Sequence, residues 1–252
     1  MVLPLLKLVS ACGLLTLATT TAFGQSQSSA CVSSGKPGLI QVASLVGCPF
    51  SAVIENETFQ TLADGTHVHK KFKAMIYRDS SGRTRYESYS PTDEESHESP
   101  NLVFIVDPVA GYRYYLMPES ATATRTLLNE ASANPSTKNQ PQHSPANESA
   151  SEQAQNSRPA PVNERLGTQQ MQGLVVTGRR QTYTIPIGAE GNDRPLVVVS
   201  EIWYSSAMGI TLLDKRSDPR SGEIEKRVTN LKQTEPDPAL FQIPPNYTIK
   251  GE

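Results

Sequence analysis

Two imidazoles two residues apart, in "HVH" at His67 to His69, are the sharpest chemical signal in the chain. On a strand, residues i and i+2 point the same way, and some metal hydrolases begin a site with two His side chains so placed. The same face continues with Lys71 and Lys73, whose charges oppose a divalent cation. The other histidines, His97 and His143, lie in polar runs. The pattern reads as a solvated strand face, with no metal ligand set and no cofactor implied. Acid–base catalysis needs paired carboxylates with separated pKa values. Glu55, Glu57, Asp64, Glu87 and Glu201 sit in strand or turn contexts without visible pairing, and Glu87 reads as the partner of a cation on a neighbouring strand. No G-x-S-x-G, P-loop or G-x-G-x-x-G occurs, so no catalytic residue is assigned.

The cysteines place these residues in a compartment. The opening "MVLPLLKLVSACGLLTLATTTAFGQ" has one cation, Lys7, then an apolar run, then Ala22 and Gly24 in cleavage-site spacing. This is a signal peptide over residues 1–24, too short in its apolar part to span a bilayer. "LVSAC" at Leu8 to Cys12 mimics a lipoprotein box, but the apolar run continues beyond Cys12, which favours ordinary export. Losing Lys7 moves the net charge from −2 to −3. With no basic block interleaved with aromatics, nucleic-acid binding lacks its electrostatic footprint. Cys31 and Cys48 remain, and an oxidising compartment favours a disulfide between them over two free thiols.

Strands must position whatever chemistry there is. Residues 25–47 are rich in Ser and Gly and read as loose. From Phe50, "FSAVIENETFQTL", "THVHKKFKAMIYRD" and "RTRYESYS" follow one another through "ADG" and "SSG" turns. Val68, Phe72, Ala74 and Ile76 share one face of the second run by period two. An acidic loop at Thr92 to Ser99 precedes a hairpin of "NLVFIV" and "GYRYYLM". From Asn129 to Pro161 there is no Val, Ile, Leu, Met or aromatic residue. Such a run cannot offset the entropy of ordering, so a disordered insertion is expected over 129–163. Strands then resume near Met171 to Ile185, in "RPLVVVSEIWYSS", "ITLLDKRSD" and "EIEKRVTNLKQT". Eight to ten strands in short-turn succession make a mainly β meander, residues 48–252 forming one domain.

The chain closes with "EPDPALFQIPPNYTI", whose four prolines keep most of it out of a sheet. Asp237 caps a short helical turn with Pro238 at its first position, pressing Leu240, Phe241 or both onto the sheet as a plug. "NYTI" offers a last edge strand.

The order Ile202 with Trp203, Gly209 to Arg216, Gly222 to Lys232, and Leu240 with Phe241 before Pro244 resembles the C-terminal half of LolA-like lipoprotein-sorting half-barrels. "ERLGTQQMQGLVVTGRR" resembles the strand that opens this half. The resemblance implies a strongly curved antiparallel meander, an incomplete β-barrel whose concave face takes an acyl chain, a lipoprotein or another apolar partner. No family ligand residue maps onto a position here. The aromatics Phe72, Tyr112, Tyr114, Tyr115, Trp203, Tyr204 and Phe241 line a groove or pack as core. Phe72, Ile76, Trp203 and Phe241 are the groove candidates. An exported, noncatalytic binding protein is the leading expectation. A protein-interaction or envelope-stress sensor module is the second and a hydrolase the third. The oligomeric state is not readable.

Overall fold

The structure, a computed structural model, describes residues 31–33, 45–90, 99–128 and 159–251. Two-residue strands β1 (Val32–Ser33) and β2 (Leu45–Val46) pair beside a bond between Cys31 and Cys48, whose Cα atoms are 5.4 Å apart. Everything else builds one twelve-stranded sheet. Its first meander runs through β3 (Phe50–Thr61), β4 (His67–Arg78), β5 (Thr84–Ser88), β6 (Leu102–Asp107), β7 (Tyr112–Met117) and β8 (Thr122–Leu127). Its second runs through β9 (Val162–Met171), β10 (Leu174–Ile185), β11 (Leu196–Ser205), β12 (Ile210–Asp218) and β13 (Gly222–Lys232). β13 pairs with β3, so the two meanders fan out from a shared centre and leave β9 at one edge. At the other edge β14 (Thr248–Lys250) lies parallel to β8, and all the other pairings are antiparallel. The sheet does not close: it is a half-barrel.

Three details depart from the sequence reading. Among the described residues the strands number fourteen rather than eight to ten. The stretch near Met171 to Ile185 is not one strand, because Gln172 (φ 48°) and Gly173 (φ 76°) reverse the chain between β9 and β10. Two consecutive positive φ angles match the twist of a hairpin, and a Gln in the first of them hides the signal that Asn-Gly would give. The parallel β14 makes the sheet mixed. The expected signal peptide, most of the segment 25–47 expected to be loose, the expected acidic loop and the expected insertion up to residue 158 lie outside the described residues, while Val162 and Asn163 already belong to β9.

Directly paired residues point to the same side of a sheet, so the registers sort the side chains into two faces. Phe50, Ala52, Ile54, Ala74 and Ile76 share one face and are buried in the main core, which also takes in Val176, Trp203, Ile210 and Leu212. Arg78 is fully buried there. Its guanidinium donates from Nε to the Cys48 carbonyl at 2.8 Å and from Nη2 to the Met208 carbonyl at 2.9 Å, and lies 4.8 Å from the Phe50 ring centre. Burial pushes its pKa down to about 10. One side chain thus ties the cystine segment to the β11–β12 turn.

The C-terminal segment works on the other face. The Glu235 carboxylate accepts from the Ser80 backbone N–H and hydroxyl, both at 3.1 Å. The Asp237 side chain accepts from the Ala239 N–H at 2.9 Å and caps a 3-10 turn, Pro238–Phe241. Phe241 is buried beneath the Arg83 guanidinium, 5.1 Å from the ring centre, while Arg85 Nη1 donates to the Leu240 carbonyl at 2.7 Å. Ile243 and Tyr247 then cover Val103, Ile105, Leu116 and Ala123 before the chain joins β8. The plug is built, and it fills one face of β5 to β8.

Candidate binding faces

The face that carries the plug holds, away from it, a row of charges that sequence reading missed. Register places Lys71, Glu57, Glu225, Lys215, Glu201, Arg180 and Glu164 side by side, one residue from each of seven strands. Lys71 Nζ stands 3.1 Å from Glu57, Lys215 Nζ 2.7 Å from Glu225, and Arg180 reaches Glu201 at 2.9 Å and Glu164 at 3.1 Å. The single like-charge step, Glu57 beside Glu225, is flanked by His69 and Lys71 on one side and by Lys215 and Arg227 on the other.

The electrostatics follow from these partners. Lys71 is the main cause holding the Glu57 carboxyl below 4.5, and the Trp203 indole N–H, donating at 2.7 Å, is the first cause for Glu201, with Arg180 behind it. Burial raises Glu225, but Lys215 and Arg227 more than reverse this. Trp203 lies flat on Gly178, where an added Cβ would stand 2.7 Å from the ring. An open groove of about 510 Å³ runs above the row, bordered by Phe59, Val199 and Ser217 as well as by the charges. Within it Lys215 pairs with Glu225 and Arg180 with Glu201, while the Glu223 carboxylate accepts from the Ser217 hydroxyl at 3.5 Å.

His69 stacks on Phe59 at 4.1 Å and bonds Glu57, while His67 Nδ1 is 3.1 Å from the Thr61 hydroxyl. Among the described residues no cluster of three His, Cys, Asp or Glu is placed to hold a metal ion. Glu87 pairs with Arg85 of its own strand at 2.7 Å rather than across to a neighbour, and accepts from Tyr89 at 2.9 Å. Burial, and then the Glu87 charge, push the nearby Tyr77 phenol up to about 12.

The opposite face of the first meander is aromatic. Ile76, Tyr86, Phe104 and Tyr115 occupy one register row across β4 to β7. Phe104 and Tyr115 meet edge to face, their centres 6.5 Å apart, and burial raises the Tyr86 pKa. Leu102 and Met117 flank the row. Ile76 is 1% exposed, whereas Tyr115 and Met117 are each 43% exposed, so the row runs from the core out into the open. With strands about 4.8 Å apart, it spans about 14 Å. β6 and β7 therefore carry apolar residues on both faces, and the plug covers only one of them.

The four groove candidates divide between these faces. Phe72, half-buried, and Ile76 share the aromatic face. Trp203 stands next to the charged row, and Phe241 lies under the plug on that same side. Ile76 and Trp203 nonetheless join one core at the sheet's centre.

No protein-family profile matches this chain, and no curated protein matches it. Solved structures do. The complex of MucA and MucB from Pseudomonas aeruginosa aligns at 10% identity and a TM-score of 0.40, covering 80% of this chain and 58% of that one. This chain therefore spans little more than half the length of that neighbour. A putative outer-membrane lipoprotein-sorting protein domain from Vibrio parahaemolyticus aligns at 10% identity and 0.30, covering 77% and 89%. A LolA superfamily protein from Nitrosomonas europaea aligns at 9% identity and 0.30, covering 77% and 90%. At low identity, and over three quarters of its length, the chain is similar to LolA-like half-barrel proteins and to MucB.

Proposed function

We propose that this chain is an exported, noncatalytic binding protein that lays an elongated apolar partner, the acyl chain of a lipid or lipoprotein, along the row from Ile76 to Tyr115. One observation carries the reading. The protein's own C-terminal segment closes one apolar face of β6 and β7, while the aromatic face of the same strands stays open at Tyr115 and Met117. Solvent-exposed aromatic and thioether groups in register are a poor use of a surface unless something covers them. A buried methylene contributes about 0.8 kcal/mol, so about eight of them bring roughly 6 kcal/mol before the costs of association. Export rests on the leader and on the Cys31–Cys48 bond, which suits an oxidising compartment. Among the described residues no helix is long and apolar enough to cross a membrane.

Titration with a fluorescent fatty acid tests the reading. Saturable binding is expected, weakened about tenfold in Phe104→Ala, since losing one well-packed aromatic contact is worth about 1–2 kcal/mol. Absence of saturation, or equal affinity in the variant, would overturn it. Capture of an apolar peptide in place of the fatty acid would favour the sensor-module alternative.

A further inference from the structure

The charged row does not end in a neutral residue. It ends on Glu164, in the edge strand β9, where the carboxylate is 56% exposed and, among the described residues, meets Arg180 on its inner side only. The two edges of the sheet are unlike. β14 has three residues, which limits what it can template, whereas β9 has ten and contains neither Lys nor Pro. Long edges without those residues are open to pairing with another chain. A register shift opposite Gly178 and Arg179, at Leu166, breaks the regular ladder, so the straight stretch available is Val162 to Arg165.

We propose that Val162 to Arg165 accepts an extended segment of another protein as a thirteenth, antiparallel strand, with a Lys or Arg of that segment opposite Glu164. The chemistry of the remaining positions follows from the faces. Val162 shares Glu164's side and is 67% exposed, so it takes an apolar residue. Arg165 points to the other side and takes an Asp or Glu. Read in the partner's own direction, the segment is acid, cation, polar, apolar. Each opposite-charge cross-strand pair contributes, and the new cation continues the alternation Arg180, Glu164 by one step.

A second copy of this chain fits less well. Directly opposed residues in an antiparallel pair point to the same side, so two β9 strands set Glu164 against Val162 or Glu164 and never against Arg165. The run from Asn129 to Arg158 has no Val, Ile, Leu, Met or aromatic residue to lie on Val162. The proposed occupant is a segment of another protein. This surface is separate from the aromatic row, and the proposal stands apart from the acyl-chain reading.

Fluorescence anisotropy with the labelled peptide Thr-Asp-Lys-Thr-Val-Thr decides it. The peptide is expected to bind the intact protein saturably below roughly 1 mM and about tenfold more weakly to Glu164→Lys. A peptide with Glu in place of Lys is expected to show the reverse preference. N-methylation of alternate peptide nitrogens should abolish binding, because strand addition needs the backbone donors. Glu164 is solvent-exposed at an edge, and fatty-acid binding by Glu164→Lys is expected to be unchanged, which separates this surface from the other. Absence of saturation, indifference to the charge swap or to N-methylation, or a β9 homodimer that excludes the peptide would each overturn the proposal.

Discussion

At the scale of single residues, Gly178 and Trp203 form a tight contact. An alanine methyl at 178 would press on the indole, so Gly178→Ala must tilt the ring or spread β10 from β11. Overpacking of this kind costs about 1–3 kcal/mol. Trp203 is the chain's single tryptophan, and its bond to Glu201 would be lost with the tilt. A red-shifted emission maximum and a lower Tm are expected, and unchanged emission would show that the ring has room to spare. The charged row adds a pH dependence. Glu57, Glu201 and Glu225 have folded pKa values depressed below 4.5, and Arg220 holds Asp218 well below the usual carboxylate range. Depressed carboxyls contribute stability above their unfolded pKa and lose it as pH falls towards the folded value. The Tm should therefore hold steady from neutral pH to about 5 and drop below about 4.5, less steeply in Glu201→Gln. A flat profile down to about pH 3 would contradict the pairing.

At the scale of elements, the plug is where sequence and structure agree most closely. Asp237 and Pro238 announce a capped turn in any chain, and the apolar Phe241 that follows has to be buried somewhere. Its destination was not legible, because Arg83, just before β5, and Arg85, within it, hold the turn and carry no local signal. Phe241→Ala is expected to cost about 3–5 kcal/mol and to loosen β14 with it. Hydrogen exchange at Thr248 to Lys250 would report that loosening, and protection equal to the wild type would mean the segment is held independently of the ring. Besides the two-residue β1 and β2, two strands escaped sequence reading. β8, "TATRTL", is too polar to show a hydrophobic face, and β9 merges with β10 because Gln172 occupies a turn position that usually announces itself with Asn or Gly. The charged row escaped for a third reason. Its members are one per strand, from residue 57 to residue 225, and only the register brings them into line.

For the molecule as a whole, the sheet has a central seam, β3 with β13, and two wings with different surfaces. Arg78 and the cystine brace the seam from the N-terminal side. The 17-residue separation of Cys31 and Cys48 corresponds to about 3 kcal/mol of loop-closure stabilisation in the chain-entropy account. Reduction should therefore lower the Tm clearly, and an unchanged melt would show that the bond constrains little. In the first wing, β6 and β7 are apolar on both faces and the plug covers only one, which is the ground for an acyl-binding role. A photoreactive fatty acid carrying a diazirine near its methyl end, cross-linked to the protein and mapped by mass spectrometry, tests that role most directly. Labels on Leu102, Tyr115 and Met117 are what the open aromatic face predicts. Labels confined to the charged row around Glu201 and Lys215, or no labelling that an unlabelled fatty acid competes away, would contradict it.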